Sequence, residues 1–177
     1  MRAEPQASEV PMRRVQALWQ DCEGSALVEG ALLVPVLCAL MFGIYEFSWL
    51  FYQQHLISTG LRDAARYLAR SSNPCDGASP NWLEVEEYAK NLATTGSING
   101  GGARVKGWTA AMVMPLCRAV DNPSGSNGAS AFRGRSTIYV VTVSTRFTDP
   151  SLGFFGFLGL QSPVLSVAHS ERAIGPG

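Results

Sequence analysis

A single long apolar stretch, from Gly30 to Tyr52, constrains this chain more than any other feature. Its sequence is GALLVPVLCALMFGIYEFSWLFY, and Glu46 is its only charged residue. As a helix, a stretch of about 23 residues extends roughly 34 Å, which is enough to cross a hydrocarbon core of about 30 Å. The stretch therefore predicts a transmembrane helix. The two other interpretations are the core helix of a globular protein and a removable secretory signal.

The sequence favours a retained membrane helix over both alternatives. No second apolar helix is available to cover a core helix of this length. A secretory signal has an apolar run of about 7 to 15 residues followed by a cleavage site of small residues. Here the run is longer, and the residues at its end are aromatic, which suits the boundary between lipid and water. The aromatic residues are Phe47, Trp49, Phe51 and Tyr52.

Composition narrows the classes of partner. A chain of 177 residues has room for one modest domain plus appendages. Its 14 basic residues balance its 14 acidic residues, so no positive field attracts a phosphate backbone, and we expect no nucleic acid partner. Charged residues make up 16% of the chain, below the roughly 25% of an ordinary soluble domain. This deficit fits a protein that places apolar residues in lipid.

The sequence carries no recognisable catalytic pattern. His55 and His169 occur singly, with no second metal ligand at a useful spacing. No phosphate-binding loop, dinucleotide fingerprint or nucleophile elbow is present. The acids Glu84, Glu86 and Glu87 fall on a predicted surface helix, where solvated charge is commoner than acid-base catalysis. We therefore predict a protein that is not an enzyme, with no catalytic residue, no cofactor, no metal and no small-molecule substrate.

Glu29 stands directly before the apolar stretch. An ionised side chain at the middle of a bilayer costs about 2.5 to 3.5 kcal/mol, so acids at the edge of a span are often functional or paired. Cleavage after Gly24 would create an ammonium group on Ser25, four residues before Glu29, which is about one helical turn. The alternative is a carboxylate that reaches the lipid headgroups without a partner.

This segment resembles the prepilins related to type IV pilins, in which a leader is removed after a glycine and the fifth mature residue is glutamate. More narrowly, GSALVEGALLVPVLCALMFGIYEF followed by LRDAARYLAR resembles the TadE-like family of tight-adherence, or Flp-type, pilus systems. The chain departs from that pattern at Gly30, where the family usually has a bulky apolar residue, and at the acidic Asp21 and Glu23. The residues that carry the resemblance are Gly24, Ser25, Val28, Glu29, Ala31, Leu32, Pro35, Glu46, Ala64, Ala65 and Arg66.

The resemblance implies a membrane-anchored minor pilin or pseudopilin that supports assembly of a tight-adherence pilus. Residues 1–24 would be a cytoplasmic leader, residues 25–52 a helix in the inner membrane, and residues 53–177 a periplasmic or extracytoplasmic domain. The alternative is a single-pass, membrane-anchored extracytoplasmic binding or sensing domain that is neither processed nor assembled.

The resemblance also implies roles for individual residues and partners. A prepilin peptidase would cut between Gly24 and Ser25, and Glu29 would attract the new ammonium group of a neighbouring subunit, in surroundings that screen charge less than water does. The partners would be membrane lipid, the prepilin peptidase, other pilus or pseudopilus subunits and the inner-membrane assembly platform.

Two cysteines, Cys75 and Cys117, follow the apolar stretch. Paired, they would form a disulfide that contributes roughly 4 kcal/mol through loop entropy and that persists in an oxidising compartment. The other possibility is two unrelated buried thiols. The orientation implied by the family resemblance places both cysteines in an oxidising space.

The rest of the chain predicts an α+β fold. The long helix should continue to Arg70 and stop at Ser71–Pro74, because proline restricts the residue before it. A second helix should begin near Asn81, with Asn81 as its cap and Glu84 as the capping-box partner. Its core-facing residues are predicted to be Trp82, Val85, Tyr88 and Leu92.

Strands are predicted after the second helix, in a small antiparallel sheet packed against the long helix. The strongest is Thr137 to Phe147, where β-branched residues dominate, and the last is Val164 to His169. The segment ARVKGWTAAMVM predicts one or two further strands, and the Gly-, Ser- and Asn-rich residues 121–134 predict a mobile loop.

The apolar segment Leu152–Leu160, LGFFGFLGL, lies between the two predicted strands. Its glycines argue against a stable helix, so we predict a loop. Either it packs on the sheet, or it is an exposed patch for a partner subunit or for the outer leaflet of the membrane.

Overall fold

The computed structural model describes residues 23–71, 75, 80–125, 128, 130, 132 and 136–174. Almost all of the predicted leader, and part of the predicted loop at 121–134, lie outside the described residues. The predicted α+β class is confirmed. The elements are α1 (Glu23–Ala69), α2 (Pro80–Thr95), a short 3-10 helix (Ala110–Met112), β1 (Val113–Asp121), β2 (Thr137–Thr148), α3 (Gly153–Phe157) and β3 (Val164–Arg172).

Helix α1 runs unbroken through Pro35 and past the apolar stretch. The chain divides into two compact units, with the boundary between Tyr45 and Glu46. The first half of α1 belongs to the first unit, and the second half is part of the folded second unit. The helix ends at Ala69, close to the predicted stop, and the hydroxyl and the backbone N–H of Ser71 both donate to the Leu68 carbonyl.

The second half of α1 supplies one side of the core. Its buried residues recur at helical spacing and form one stripe. The sequence predicts such a stripe from Leu56, Leu61, Ala64, Ala65 and Leu68, but Leu56 is only half-buried and Ile57 takes its place in the core. The buried apolar residues of the stripe are Leu50, Ile57, Leu61, Ala64, Ala65 and Leu68.

Helix α2 differs from its prediction in two details. It begins at Pro80, so Asn81 lies in the first turn and is not the cap; proline suits the first helical position because its fixed φ is helical and no N–H is needed there. Trp82 is buried as predicted, but the other buried apolar residues of α2 are Ala89 and Ala93, and Thr94 is buried as well. Tyr88 lies at the edge of the packed face, where its hydroxyl donates to Glu84.

The three strands form one antiparallel sheet in the order β1-β2-β3. Strand β2 matches its prediction to within one residue, and β3 extends three residues beyond its predicted end. Of the segment ARVKGWTAAMVM, only Val113 and Met114 enter a strand, β1. The residues of β2 that face the core are Val141, Val143, Thr145 and Phe147.

Trp108 is part of the core and contacts strand β2 of the sheet. Its side chain is 1% exposed, and its indole N–H donates to the hydroxyl of Thr145 at 3.0 Å. That hydroxyl in turn donates to the Met112 carbonyl at 2.8 Å. The buried indole N–H of Trp108 and the buried hydroxyl of Thr145 are therefore both hydrogen-bonded, which an apolar core requires of such groups.

The prediction of a loop without a helix at Leu152–Leu160 is wrong. Residues Gly153–Phe157 form the short helix α3, and Gly159 follows with a φ of +72°, a value that suits glycine. Glycine lowers intrinsic helix propensity, but tertiary contacts override it here, because Leu152 before the helix is buried and Phe155 packs against the core.

Candidate functional site

The first half of α1 exposes a continuous apolar surface. It belongs to the only helix in the described part of the chain that is long and apolar enough to cross a membrane. None of the residues in an 18-residue apolar stretch of that helix is buried. The core helix of a soluble protein would be mostly covered. The exposed large side chains of the first unit are Leu27, Val28, Leu32, Leu33, Val34, Val36, Leu37, Leu40, Met41, Phe42, Ile44 and Tyr45.

Gly24, Ser25 and Glu29 lie on exposed positions in the first turns of α1. A Cβ atom built on Gly24 would meet no heavy atom within 4 Å, and its φ is not in the left-handed region. The described part of the chain therefore gives no packing reason for glycine at this position, where alanine would favour the helix by about 1 kcal/mol. Gly30 shares this property.

The carboxylate of Glu29 is equally unexplained by the fold. It is exposed, and none of the described residues forms an ion pair or hydrogen bond with it. An acid at this place in an apolar helix is costly if it enters lipid alone. The described residues therefore give no packing or hydrogen-bonding reason for glutamate at this position.

A second group of side chains carries polar atoms that meet on one face of α1, at the start of the second unit. We call this group the polar collar, and its members are Glu46, Trp49, Gln53, Asp149 and Ser151. Glu46 Oε1 accepts the backbone N–H of Phe154 in α3 at 2.7 Å, which satisfies one of the free donors at that helix start. The other oxygen, Oε2, is buried without a hydrogen-bond partner in the described residues.

Asp149 is the centre of the polar collar and is 3% exposed. Its Oδ2 accepts the indole N–H of Trp49 at 3.1 Å and the amide of Gln53. Its Oδ1 accepts the backbone N–H of Ser151 at 2.8 Å and the hydroxyl of Ser151 at 2.7 Å. One carboxylate thus joins α1 to the turn after β2.

Residues 24–66 match the family model described as TadE-like protein. This segment is a TadE-like domain. The resemblance predicted from the sequence is confirmed over this range, which begins at Gly24 and ends at Arg66 in the second half of α1. No curated protein and no solved structure gives a significant match to the chain.

The TadE-like segment contains every residue that the sequence singled out for processing and assembly, and it also contains Glu46, one of the residues that carry the resemblance. Gly24, Ser25 and Glu29 lie in the first compact unit, whereas Glu46 belongs to the second, where it holds α3. Sequence reasoning recognised Glu46 as the lone charge of the apolar stretch but did not predict its partner.

The rest of the polar collar was not predicted from the sequence. One local signal was available: aspartate followed by Pro150 and Ser151 is typical of an Asx turn, in which the carboxylate accepts the N–H two residues on. The contacts with Trp49 and Gln53 span about a hundred residues of chain, and no local pattern reveals them.

A disulfide joins Cys75 to Cys117, with 5.2 Å between the two Cα atoms. It connects the segment that follows α1 to the middle of β1. Cys38, in the TadE-like segment, is a free exposed cysteine. Among the described residues, no three His, Cys, Asp or Glu side chains are grouped so that they could hold a metal ion.

The environment of Asp149 favours its charged form. Burial raises the pKa of its carboxyl, but the hydrogen bonds from Ser151, Gln53 and Trp49 outweigh burial, and the net effect lowers the pKa below its ordinary value of 3.8. Because the folded-state pKa is lowered, the stabilisation by this carboxylate is complete above the unfolded pKa of about 3.9. It is lost as the pH falls through the folded-state pKa.

We expect Asp149→Asn to lower the free energy of unfolding of the second unit by about 2 kcal/mol near neutral pH. Asparagine has one acceptor oxygen, so its amide must face either the Ser151 donors or the Trp49 and Gln53 donors. Urea unfolding in detergent micelles measures the change. The variant should also lose the part of the pH dependence that Asp149 contributes below about pH 4.

The matched control is Asp121→Asn, at an exposed residue at the end of β1. A surface substitution of this kind should change the unfolding free energy by less than about 0.5 kcal/mol. Equal stability of the Asp149 and Asp121 variants would show that the polar collar contributes nothing.

Proposed function

We propose that this chain is a membrane-anchored minor pilin or pseudopilin that supports assembly of a tight-adherence, Flp-type pilus, and that it has no catalytic role. The observation that carries the proposal is the match of residues 24–66 to the TadE-like family, which begins at Gly24. Two structural features support it: an exposed apolar helix that suits a membrane, and a Glu29 carboxylate without a partner among the described residues.

In this proposal the chain is the substrate of a prepilin peptidase. Hydrolysis of the Gly24–Ser25 amide consumes one water, leaving a carboxylate on Gly24 and an ammonium group on Ser25. Among the described residues nothing packs against Gly24, which supports a requirement set by the peptidase, since a residue without a side chain lets the backbone enter a narrow active site.

Glu29 then pairs with the Ser25 ammonium group of a neighbouring subunit. In an apolar bundle of helices the two charges attract more strongly than in water, and the pair sets the register between subunits. The other partners are membrane lipid, further pilus or pseudopilus subunits and the inner-membrane assembly platform.

The proposed orientation has the N-terminus in the cytoplasm, α1 across the inner membrane, and the second unit in the periplasm. The disulfide between Cys75 and Cys117 supports this orientation, because disulfides persist in oxidising compartments and are rare in the cytoplasm.

The rival function is an anchored binding or sensing domain that is never processed. It draws support from the second unit, which has its own core and lies mostly beyond the family match. N-terminal sequencing of the protein, purified from a host with the peptidase, separates the two: Ser25 as first residue supports the pilin, and an uncut N-terminus supports the anchor.

We expect Glu29→Gln to remain in the membrane fraction and to be cut normally, yet to lose pilus assembly. The exchange keeps the size of the side chain and removes the charge, so subunit association should weaken at least about tenfold, which corresponds to about 1.4 kcal/mol. Counting pili by electron microscopy, with N-terminal sequencing of the same cells, measures both steps.

Two variants make this test specific. Glu29→Asp keeps the charge and should restore part of the assembly, whereas Glu87→Gln removes an exposed charge on α2 and should leave assembly unchanged. Normal piliation of the Glu29→Gln variant would rule out the charge pair.

A further inference from the structure

Three apolar side chains at the end of α3 are exposed, and we call them the α3 tip. Phe157 is 83% exposed, Leu158 is 52% exposed and Leu160 is 57% exposed. The residues just before them are covered, since Leu152 is buried and Phe155 is half-buried against the core. Helix α3 therefore presents one side to the core of the second unit and the other side outward.

Contacts at the start of α3 fix the position of this helix along α1. Glu46 accepts the backbone N–H of Phe154, and the ring of Phe155 meets the ring of Phe47 edge to face, with 5.5 Å between centroids. Asp149, in the turn before α3, accepts hydrogen bonds from the side chains of Trp49 and Gln53 in α1. These contacts hold the start of α3 beside residues 46–53, all within the second unit, and the α3 tip follows about one helical turn later.

That level of α1 is where the proposed span leaves the membrane. The proposed span, residues 25–52, rises roughly 42 Å at about 1.5 Å per residue, close to the roughly 40 to 45 Å of a bilayer with its headgroups, so residues 46–53 lie at its outer end. The exposed aromatic residues there are the type enriched at the boundary between lipid and water. They are Phe47, Trp49, Phe51 and Tyr52.

The charge of the segment fits the same environment. No Asp, Glu, Lys or Arg occurs between Asp149 and Glu171, so the α3 tip can enter the headgroup region without carrying an ionised side chain into lipid. Two carboxylates lie at the start of α3, and both accept hydrogen bonds from within the second unit: Asp149 from Trp49 and Ser151, and Glu46 from the backbone of Phe154.

We propose that the α3 tip inserts into the headgroup and upper acyl region of the membrane that α1 spans, as a second lipid contact of the chain. The inference rests on the membrane span of the proposed function. Apolar side chains that enter the interface gain from removal of their area from water, as interfacial helices do. The contact would fix the second unit against the membrane surface, with the polar collar as its support.

A fluorescent label tests this directly. In the full chain with Cys22→Ser and Cys38→Ala, which leaves the disulfide intact, a cysteine replaces Phe157 and carries an NBD group. The protein is placed in phosphatidylcholine vesicles. Quenching is then measured with phosphatidylcholine that bears a nitroxide near the headgroup, and separately with iodide in the water.

Two further positions serve as references. Leu83, 57% exposed on α2, matches the tip in type and exposure but lies on a helix that makes none of the contacts with residues 46–53 described above, and Leu40, also 57% exposed, reports the span. We expect the label at 157 to lose several-fold more fluorescence to nitroxide lipid than the label at 83. We expect iodide to show the reverse order.

Each other outcome has one meaning. If the label at 40 is quenched by lipid and the label at 157 responds as the label at 83 does, the tip is in water and the inference fails, while the span stands. If position 157 is shielded from iodide yet not quenched by lipid, a second protein chain covers the tip, and the inference also fails. If position 40 is not quenched by lipid, the span of the proposed function fails too.

Discussion

Replacing Cys75 with serine should lower the free energy of unfolding by about 4 kcal/mol, the largest effect that we expect from one substitution in this chain. The disulfide with Cys117 closes a loop with a sequence separation of 42 residues. On the loop-entropy relation, a cross-link over that separation stabilises the fold by about 4 kcal/mol, because it restricts the unfolded chain. Stabilities of small domains are only about 5 to 15 kcal/mol, so the variant should be close to unfolding at physiological temperature.

Urea unfolding in detergent micelles, before and after reduction, measures this contribution. Reduction of the wild-type protein should reproduce the loss seen in Cys75→Ser and should have no further effect on that variant. Cys38→Ala is the matched control, since it removes an exposed free thiol from α1 and should leave the unfolding free energy unchanged. A loss of less than about 1 kcal/mol in Cys75→Ser would contradict the loop-entropy account.

The same bond reports orientation in the cell. In spheroplasts, a maleimide reagent should reach neither Cys75 nor Cys117 until a reductant is added, if the second unit lies in the oxidising periplasm. Reaction of both thiols without reduction, and only after lysis, would place the second unit in the cytoplasm and would remove the support that the disulfide gives to the proposed orientation.

Where the sequence predicts the fold well, the pattern is local and repetitive. Strand β2 was predicted because β-branched residues alternate along it, and the sheet buries Val141 and Val143. Helix α1 was predicted because apolar residues fill a long window and then recur at helical spacing. Both patterns involve residues that are close together in the sequence. They therefore indicate the same element in any fold that buries one face of it.

Where prediction fails, long-range contacts decide the structure. Helix α3 forms in a glycine-rich segment because Glu46, over a hundred residues earlier, accepts a backbone N–H at its start. The polar collar was not predicted for a similar reason, since Trp49 and Asp149 are 100 residues apart in sequence. The candidate processing and assembly residues rest on a short motif at fixed spacing, so the sequence alone is enough to propose them.

Two small residues of α2, Ala89 and Ala93, were also missed, although they set the distance between α1 and α2. Hydrophobic spacing favoured Tyr88 for the packed face of α2, yet Ala89 and Ala93 are the residues without exposed surface. Alanine contributes little area, so a pattern that weighs apolar size overlooks it. Its small side chain allows the backbones of α1 and α2 to approach each other closely, and Gly60 of α1 lies opposite Ala93.

We therefore expect Gly60→Ala to lower the free energy of unfolding by about 3 kcal/mol, at the upper end of the usual cost of overpacking a core. A Cβ atom at position 60 would lie 2.3 Å from the backbone oxygen of Ala93 and 3.1 Å from the ring of Trp108. The sign is diagnostic, because glycine to alanine inside a helix ordinarily stabilises by about 0.5 to 1 kcal/mol.

Two companion variants separate close packing from a general effect of replacing glycine, with urea unfolding followed by circular dichroism as the measurement. Gly102→Ala, where a Cβ would meet no atom within 4 Å, should change the unfolding free energy by less than about 0.5 kcal/mol. Adding Ala93→Gly to Gly60→Ala should not restore stability, because the obstructing oxygen belongs to the backbone and remains in place. Recovery in that double variant would mean that side-chain volume, and not the approach of the two helix backbones, requires glycine at position 60.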